Sequence, residues 1–165
     1  MTTIQILGVA ILLALTLSLT AGCTVGQSFR GPGFDPGLGV TAEGAGETVV
    51  VAITHTTVAS GWSKRRSFSR HLWDVVDTMP DHPGLVGYSV RRDLFGADAW
   101  TLSVWTTEQA LSSFLRSPVH ASAVEDGGRT LTSLRRARAE VATDEIPLGW
   151  PRALEILEAQ NGGTP

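Results

Sequence analysis

With 165 residues and 42% hydrophobic content, the chain carries enough apolar material for one core and is the length of one domain. Its net charge of -3, with no basic run beyond Lys64-Arg65-Arg66 and Arg135-Arg136, leaves no electrostatic footprint for nucleic acid, which is set aside as a partner. The single cysteine, Cys23, excludes an intramolecular disulfide and any multi-cysteine metal site.

Ile4 to Ala21 is apolar apart from Gln5 and a few Thr and Ser, and no charge occurs before Arg30. The run has the length of a signal-peptide core or a short spanning helix. It ends in Leu19-Thr20-Ala21-Gly22-Cys23, which resembles a bacterial lipoprotein processing site, with cleavage before Cys23 and acylation of its thiol. An uncleaved N-terminal anchor with an incidental cysteine is the alternative. Residues 1–23 are therefore expected to be a signal or anchor, and the rest to sit at a membrane surface outside the cytoplasm. Residues 24–47 are rich in glycine, with Pro32 and Pro36, and have no sustained apolar period. Such composition predicts a flexible tether.

The folded domain is expected over 48–160, with a disordered tail over 161–165. Thr48 to Val58 is dense in β-branched residues and predicts the first strand. A helix follows from about Ser63 to Met79, where Phe68, Leu72, Val75, Val76 and Met79 form one stripe. Lys64, Arg65, Arg66 and Arg70 lie off that stripe, on a face expected in solvent, with contact to anionic lipid as the alternative. Pro80-Asp81-His82-Pro83-Gly84 ends the helix. Leu85 to Arg92 and Trp100 to Trp105 predict a hairpin, and Thr106-x-x-Gln109 reads as a capping box opening a second helix with Leu111, Phe114 and Leu115 inward. Ser117-Pro118 punctuates that helix. Leu134 to Thr143 alternates as a fourth strand, and Trp150-Pro151 opens a short C-terminal helix. The order β-α-β-β-α-β gives an α+β, ferredoxin-like sheet with helices on one face. Val50, Ala52, Tyr88, Val90 and Trp105 then put apolar content on the opposite face, which predicts a homodimer pressed sheet against sheet.

The segment S-V-W-T-T-E-Q-A-L-S-S-F-L-R-S-P-V-H from Ser103 to His120 and the tail I-P-L-G-W-P-R-A-L-E-I-L-E from Ile146 to Glu158 resemble the dimeric α+β barrel superfamily. Within it the likeness is to antibiotic-biosynthesis-monooxygenase-like proteins, over about Thr48 to Gln160. The resemblance implies a pocket between sheet and helices that takes a small aromatic or apolar molecule, and oxygenation without metal or flavin. A haem-degrading branch uses an Asn on the first strand and a Trp and a His on the second helix. Here those positions fall near His55 and on Phe114 and Val124, so the haem ligand is missing and no cofactor is expected.

Two histidines are candidate catalytic groups, because imidazole titrates near neutral pH. His55 lies on the apolar face of the first strand, and His120 lies where the second helix breaks; a core role for His55 is the plainer alternative. His71 and His82 read as surface or turn residues. Trp105, Trp73, Tyr88, Phe114 and Trp100 are candidates to line the pocket, with core packing as the alternative for each. The four histidines lack the spacing of a metal site, so no metal is expected. A non-catalytic ligand-binding or dimeric assembly module on the same fold remains the other reading of the whole.

Overall fold

The computed structural model describes residues 24–162. The signal or anchor of residues 1–23, with Cys23, and the last three residues of the expected tail lie outside them. The strands are β1 (Thr24–Gly26), β2 (Phe34–Asp35), β3 (Gly39–Val40), β4 (Thr48–Val58), β5 (Leu85–Asp93), β6 (Asp98–Trp105) and β7 (Leu131–Ala142). The helices are α1 (Trp62–Thr78), α2 (Glu108–Leu115), α3 (Pro118–Ser122) and α4 (Trp150–Asn161). An open antiparallel sheet runs in the order β1-β5-β6-β4-β7, and β2 pairs with β3 in a separate ribbon. Four of the five sheet strands form the ferredoxin-like arrangement that the alternation of strand and helix patterns predicts. Every residue of β4 except Ala52 and His55 is β-branched, which suits an inner strand of a pleated layer.

Side chains alternate across the strands, so the sheet has two apolar faces and each needs a cover. On the front, Val50, Tyr88, Val90 and Trp105 pack under Val76 of α1, Met79 and the Leu111 and Phe114 of α2. On the back, Val49, Val51, Ile53, Val86, Leu102 and Val104 pack under Ala153, Ile156 and Leu157 of α4. The expectation that helices cover one face alone is thus corrected: α4 crosses to the other side. The face expected to be bare, that of Val50 and Trp105, is the one α1 and α2 cover. Both faces are closed within one chain, so the argument from a bare face to a homodimer loses its premise.

The N-terminal stretch carries a second correction. Residues 24–47 do not form a free tether but lie on the sheet. β1 pairs with the end of β5, Arg30 bridges Tyr88, and Phe29, Phe34, Val40, Ala42 and Ala45 pack on the back core. Tyr88 N donates to Arg30 O at 2.7 Å, and Gly33 N donates to Val86 O at 3.1 Å. Glycine is needed there for proximity, not for flexibility. A Cβ on Gly31 would overlap the Cα of Gly87 and the carbonyl oxygen of Val86, and one on Gly87 would come within 2.6 Å of the Phe29 ring.

Smaller shifts follow local chemistry. The cap of α2 is Thr107, whose hydroxyl accepts from Ala110 N at 3.1 Å, one residue later than the expected Thr106. Ser117 caps α3 as expected, with Pro118 in its first turn. β7 begins three residues before the expected Leu134, where Thr132 Oγ1 donates to Thr57 O at 3.1 Å. Asn161 belongs to α4 rather than to the tail. Its amide donates to Arg136 O at 2.9 Å, while Gln160 Oε1 accepts from Arg138 N at 3.1 Å, so both residues grip β7.

Candidate functional site

The register fixes what the front face presents. Beside Ala52 and Thr54 of β4 stand Ser103 and Thr101 of β6 on one side and Arg138 and Arg136 of β7 on the other. Tyr88 and Val90 of β5 continue the same rows. The floor therefore grades from aromatic and apolar at β5, through hydroxyls at the centre, to guanidinium at the β7 edge. The α1 stripe supplies Phe68, Leu72 and Val75 as a wall, and α2 supplies Leu111, Phe114 and Leu115. Between floor and walls lies a mainly apolar cavity of about 280 Å³. Its size and lining suit a small organic molecule held by burial and oriented by a few polar groups.

The polar groups are specific. Thr56 Oγ1 donates to Ala99 O at 3.2 Å, and Ser103 Oγ accepts from the Trp105 indole at 3.0 Å. His120 lies in the new helix that Ser117 and Pro118 begin, with its imidazole 5.0 Å from the Phe114 ring. Burial holds His120 below its ordinary value of 6.5. Positive charge on Arg136 and His82 adds to this, and a backbone hydrogen bond at Leu115 opposes it. This placement favours the neutral ring over the charged one. Arg138 is tied to Glu108 of α2 at 2.6 Å, which clips the β7 edge to the cavity wall. Arg136 has no ion pair among the described residues.

Of the residues expected at the site, the structure brings Tyr88, Phe114 and His120 to the cavity wall. Trp105 lies beneath it, fully buried, stacked on Phe114 at 4.9 Å, and supports the wall without lining the space. Trp73 lines a different groove, beside the β5–β6 hairpin. His55 and Trp100 are on the back of the sheet, stacked at 4.7 Å, so neither faces the cavity. Strand parity decides this: His55 shares its face with Val51 and Ile53, which belong to the α4 core. His55 Nε2 sits 2.9 Å from Asp98 Oδ1, and Thr57 Oγ1 donates to the same oxygen at 2.6 Å. Arg135 can only donate, so the 3.4 Å contact makes His55 Nδ1 an acceptor and puts the ring proton on Nε2, toward Asp98. Arg135 continues to Glu158 of α4 at 2.8 Å, holding that carboxyl below the usual carboxylate range by hydrogen bonding and charge.

Several polar cavity residues escape a reading of the sequence, among them His71 and Arg136. The signal for His71 is its place beside Leu72, three residues after Phe68, at the edge of the α1 stripe. Arg136 is signalled by its alternation with Ala137, once the inward face of β7 is known to be the back. Among the described residues, no three His, Cys, Asp or Glu side chains converge as metal ligands.

No family model matches the sequence, and no curated protein matches it. Solved structures do match in fold. A protein from Deinococcus radiodurans named as an antibiotic biosynthesis monooxygenase superposes with a TM-score of 0.51 at 16% identity, covering 56% of this chain and 92% of that one. One of the same description from Nitrosomonas europaea gives 0.50 at 9% identity, covering 57% and 88%. One from Lactobacillus acidophilus, named as a monooxygenase, gives 0.49 at 13% identity, covering 60% of this chain, which spans 49% of that chain's length. The chain is an α+β, ferredoxin-like domain whose structural neighbours are monooxygenase-like proteins. At these identities the likeness is one of fold.

Proposed function

We propose that the domain binds a small aromatic molecule in the front cavity and oxygenates it, and that residues 1–23 hold the domain at a membrane outside the cytoplasm. The observation that carries the binding reading is the apolar cavity of about 280 Å³, walled by Tyr88 and Phe114 with a neutral His120 at its side. The names of the neighbours support oxygenation as the reaction. A hydroxyaromatic is the natural substrate class: burial favours its ring, and His120 accepts its phenolic proton. The electron-rich phenolate then reacts with dioxygen at a ring carbon. One oxygen atom stays as a new carbonyl and the other leaves as water with two hydrogens from the substrate, so a phenol plus O2 gives a quinone plus H2O. The substrate supplies the electrons. The proton acceptor is worth about 10²–10⁴ in rate by analogy with other general bases.

The test pairs binding with oxygen uptake. 1-Naphthol is titrated by fluorescence, and oxygen consumption is followed with dihydroxynaphthalenes. Thr54→Phe, which fills the cavity, abolishes both; His120→Ala retains binding and loses at least about a hundredfold in uptake; His55→Ala, on the other face, changes neither. Naphthol binding that survives Thr54→Phe refutes the cavity. Binding without uptake in the wild type refutes the oxygenase and leaves a ligand-binding module.

A further inference from the structure

We infer that the end of the molecule formed by the β5–β6 hairpin and the first turn of α1 docks on a bilayer of anionic phospholipid. Three observations meet there. The first is exposed apolar bulk: Phe95 is 83% exposed and Trp62 79%, with Leu94 and Val25 close to half. Large exposed aromatics gathered in one place mark an interaction surface, and tryptophan favours the level of lipid headgroups. The second is charge. Arg65 and Arg66 of α1 and Arg92 of β5 line the groove between these elements, with Lys64 one residue away. None of the four is in an ion pair among the described residues. Of the two carboxylates in the groove, Asp98 is already engaged by His55 and Thr57. Cations around apolar tips complement an anionic headgroup layer above a hydrocarbon one.

The third observation selects lipid over a protein partner. Thr24, the first residue of β1, pairs with Asp93 at the base of the hairpin tip. The apolar run of residues 4–21 ends three residues before Thr24. Three residues reach at most about 11 Å when fully extended. Whatever receives that run therefore lies beside Phe95 and Arg92. Among the described residues, no helix is long and apolar enough to cross a membrane, so this end meets the bilayer as a surface contact. The groove also shares Phe68, Leu72 and Ala99 with the front cavity, which places the cavity's wall against the docked surface.

The inference shares the apolar run with the tethering reading above, and the experiment separates the two. The full chain carrying Cys23→Ser is labelled with a polarity-sensitive fluorophore through Phe95→Cys. A parallel sample uses Leu38→Cys, equally exposed at 81% but in the β2–β3 turn at the far end of the sheet. Both are mixed with vesicles of phosphatidylcholine, with or without phosphatidylglycerol, some carrying spin-labelled lipid. Flotation reports the tether; quenching reports docking. The expected result is several-fold stronger quenching at Phe95→Cys than at Leu38→Cys, increased by phosphatidylglycerol and reduced to the neutral-lipid level by Arg65→Glu with Arg66→Glu. Flotation with equal, weak quenching at both sites overturns docking and leaves the tether. No flotation with either lipid overturns docking together with an uncleaved apolar anchor. Shielding of the Phe95→Cys probe that rises with protein concentration in the absence of lipid overturns docking in favour of a second copy.

Discussion

Gly31→Ala distinguishes a structural N-terminal segment from a flexible one by the sign of its effect. In a flexible linker the added methyl leaves stability unchanged or raises it slightly, by up to about 1 kcal/mol, through a less free unfolded chain. In this structure the methyl has no room: it would overlap Gly87 Cα and Val86 O and lie within 2.9 Å of Gly87 N. These are backbone atoms of β5, held by ladder bonds to β6, so they yield less than a side chain would. Relief requires the segment to lift by roughly an ångström, stretching the Tyr88 N to Arg30 O bond from 2.7 Å and unseating Phe29 from Gly87. Overpacking of this kind costs about 1–3 kcal/mol, to which a weakened hydrogen bond adds about 1 kcal/mol. For a chain of this size the midpoint of unfolding falls by about 2–4 °C per kcal/mol, so a drop of roughly 4–16 °C is expected. Thermal unfolding followed by circular dichroism measures it, and hydrogen exchange at Tyr88 N–H locates it. An unchanged or higher midpoint, with Tyr88 exchange as in the wild type, refutes the packing of residues 24–47 on the sheet.

Leu157→Ala addresses the other half of the back cover. Leu157 is wholly buried in the α4 core, and removing its three outer carbons costs about 2–5 kcal/mol by denaturant titration; a loss below about 1 kcal/mol contradicts a core role for α4. His120 gives a pH dependence of definite sign. Its folded value is lowered, so its contribution to stability is present above the ordinary 6.5 and is lost as pH falls below that value, when the unfolded chain takes up the proton first. Between pH 7 and 5 the wild type should therefore lose more stability than His120→Gln; parallel profiles would remove the buried, neutral histidine from the account.

Much of the front half is legible in the sequence because period and packing agree there. The β4 composition, the α1 stripe and the Ser117-Pro118 break each specify a local structure that the fold keeps, and Phe114 and His120 reach the cavity as a consequence. The back half is less legible. Parity separates His55 from Val50 but does not say which set faces the helices, and assigning the helices to the wrong set carried His55 and Trp100 into a cavity they do not touch. Glycine misled for a different reason. Gly31 and Gly33 have the composition of a linker, yet Gly31 meets another glycine, Gly87, more than fifty positions away, and Gly33 meets Ala42 and the Leu85–Val86 backbone. Nothing local records that three small residues are needed where backbones cross. Arg136 is hidden similarly: it alternates as a solvated residue should, yet the row it ends runs across the sheet to Val90.

The two amides at the end of α4 have a consequence for solubility. β7 is a long outermost strand, the kind of margin onto which an unfolded neighbour adds by templated hydrogen bonding. Gln160 and Asn161 occupy main-chain groups of Arg138 and Arg136 at its middle, leaving no uninterrupted row for an incoming chain to read. Loss of these two side chains should therefore appear first as fibril or precipitate formation on storage, before any fall in the melting temperature is noticed.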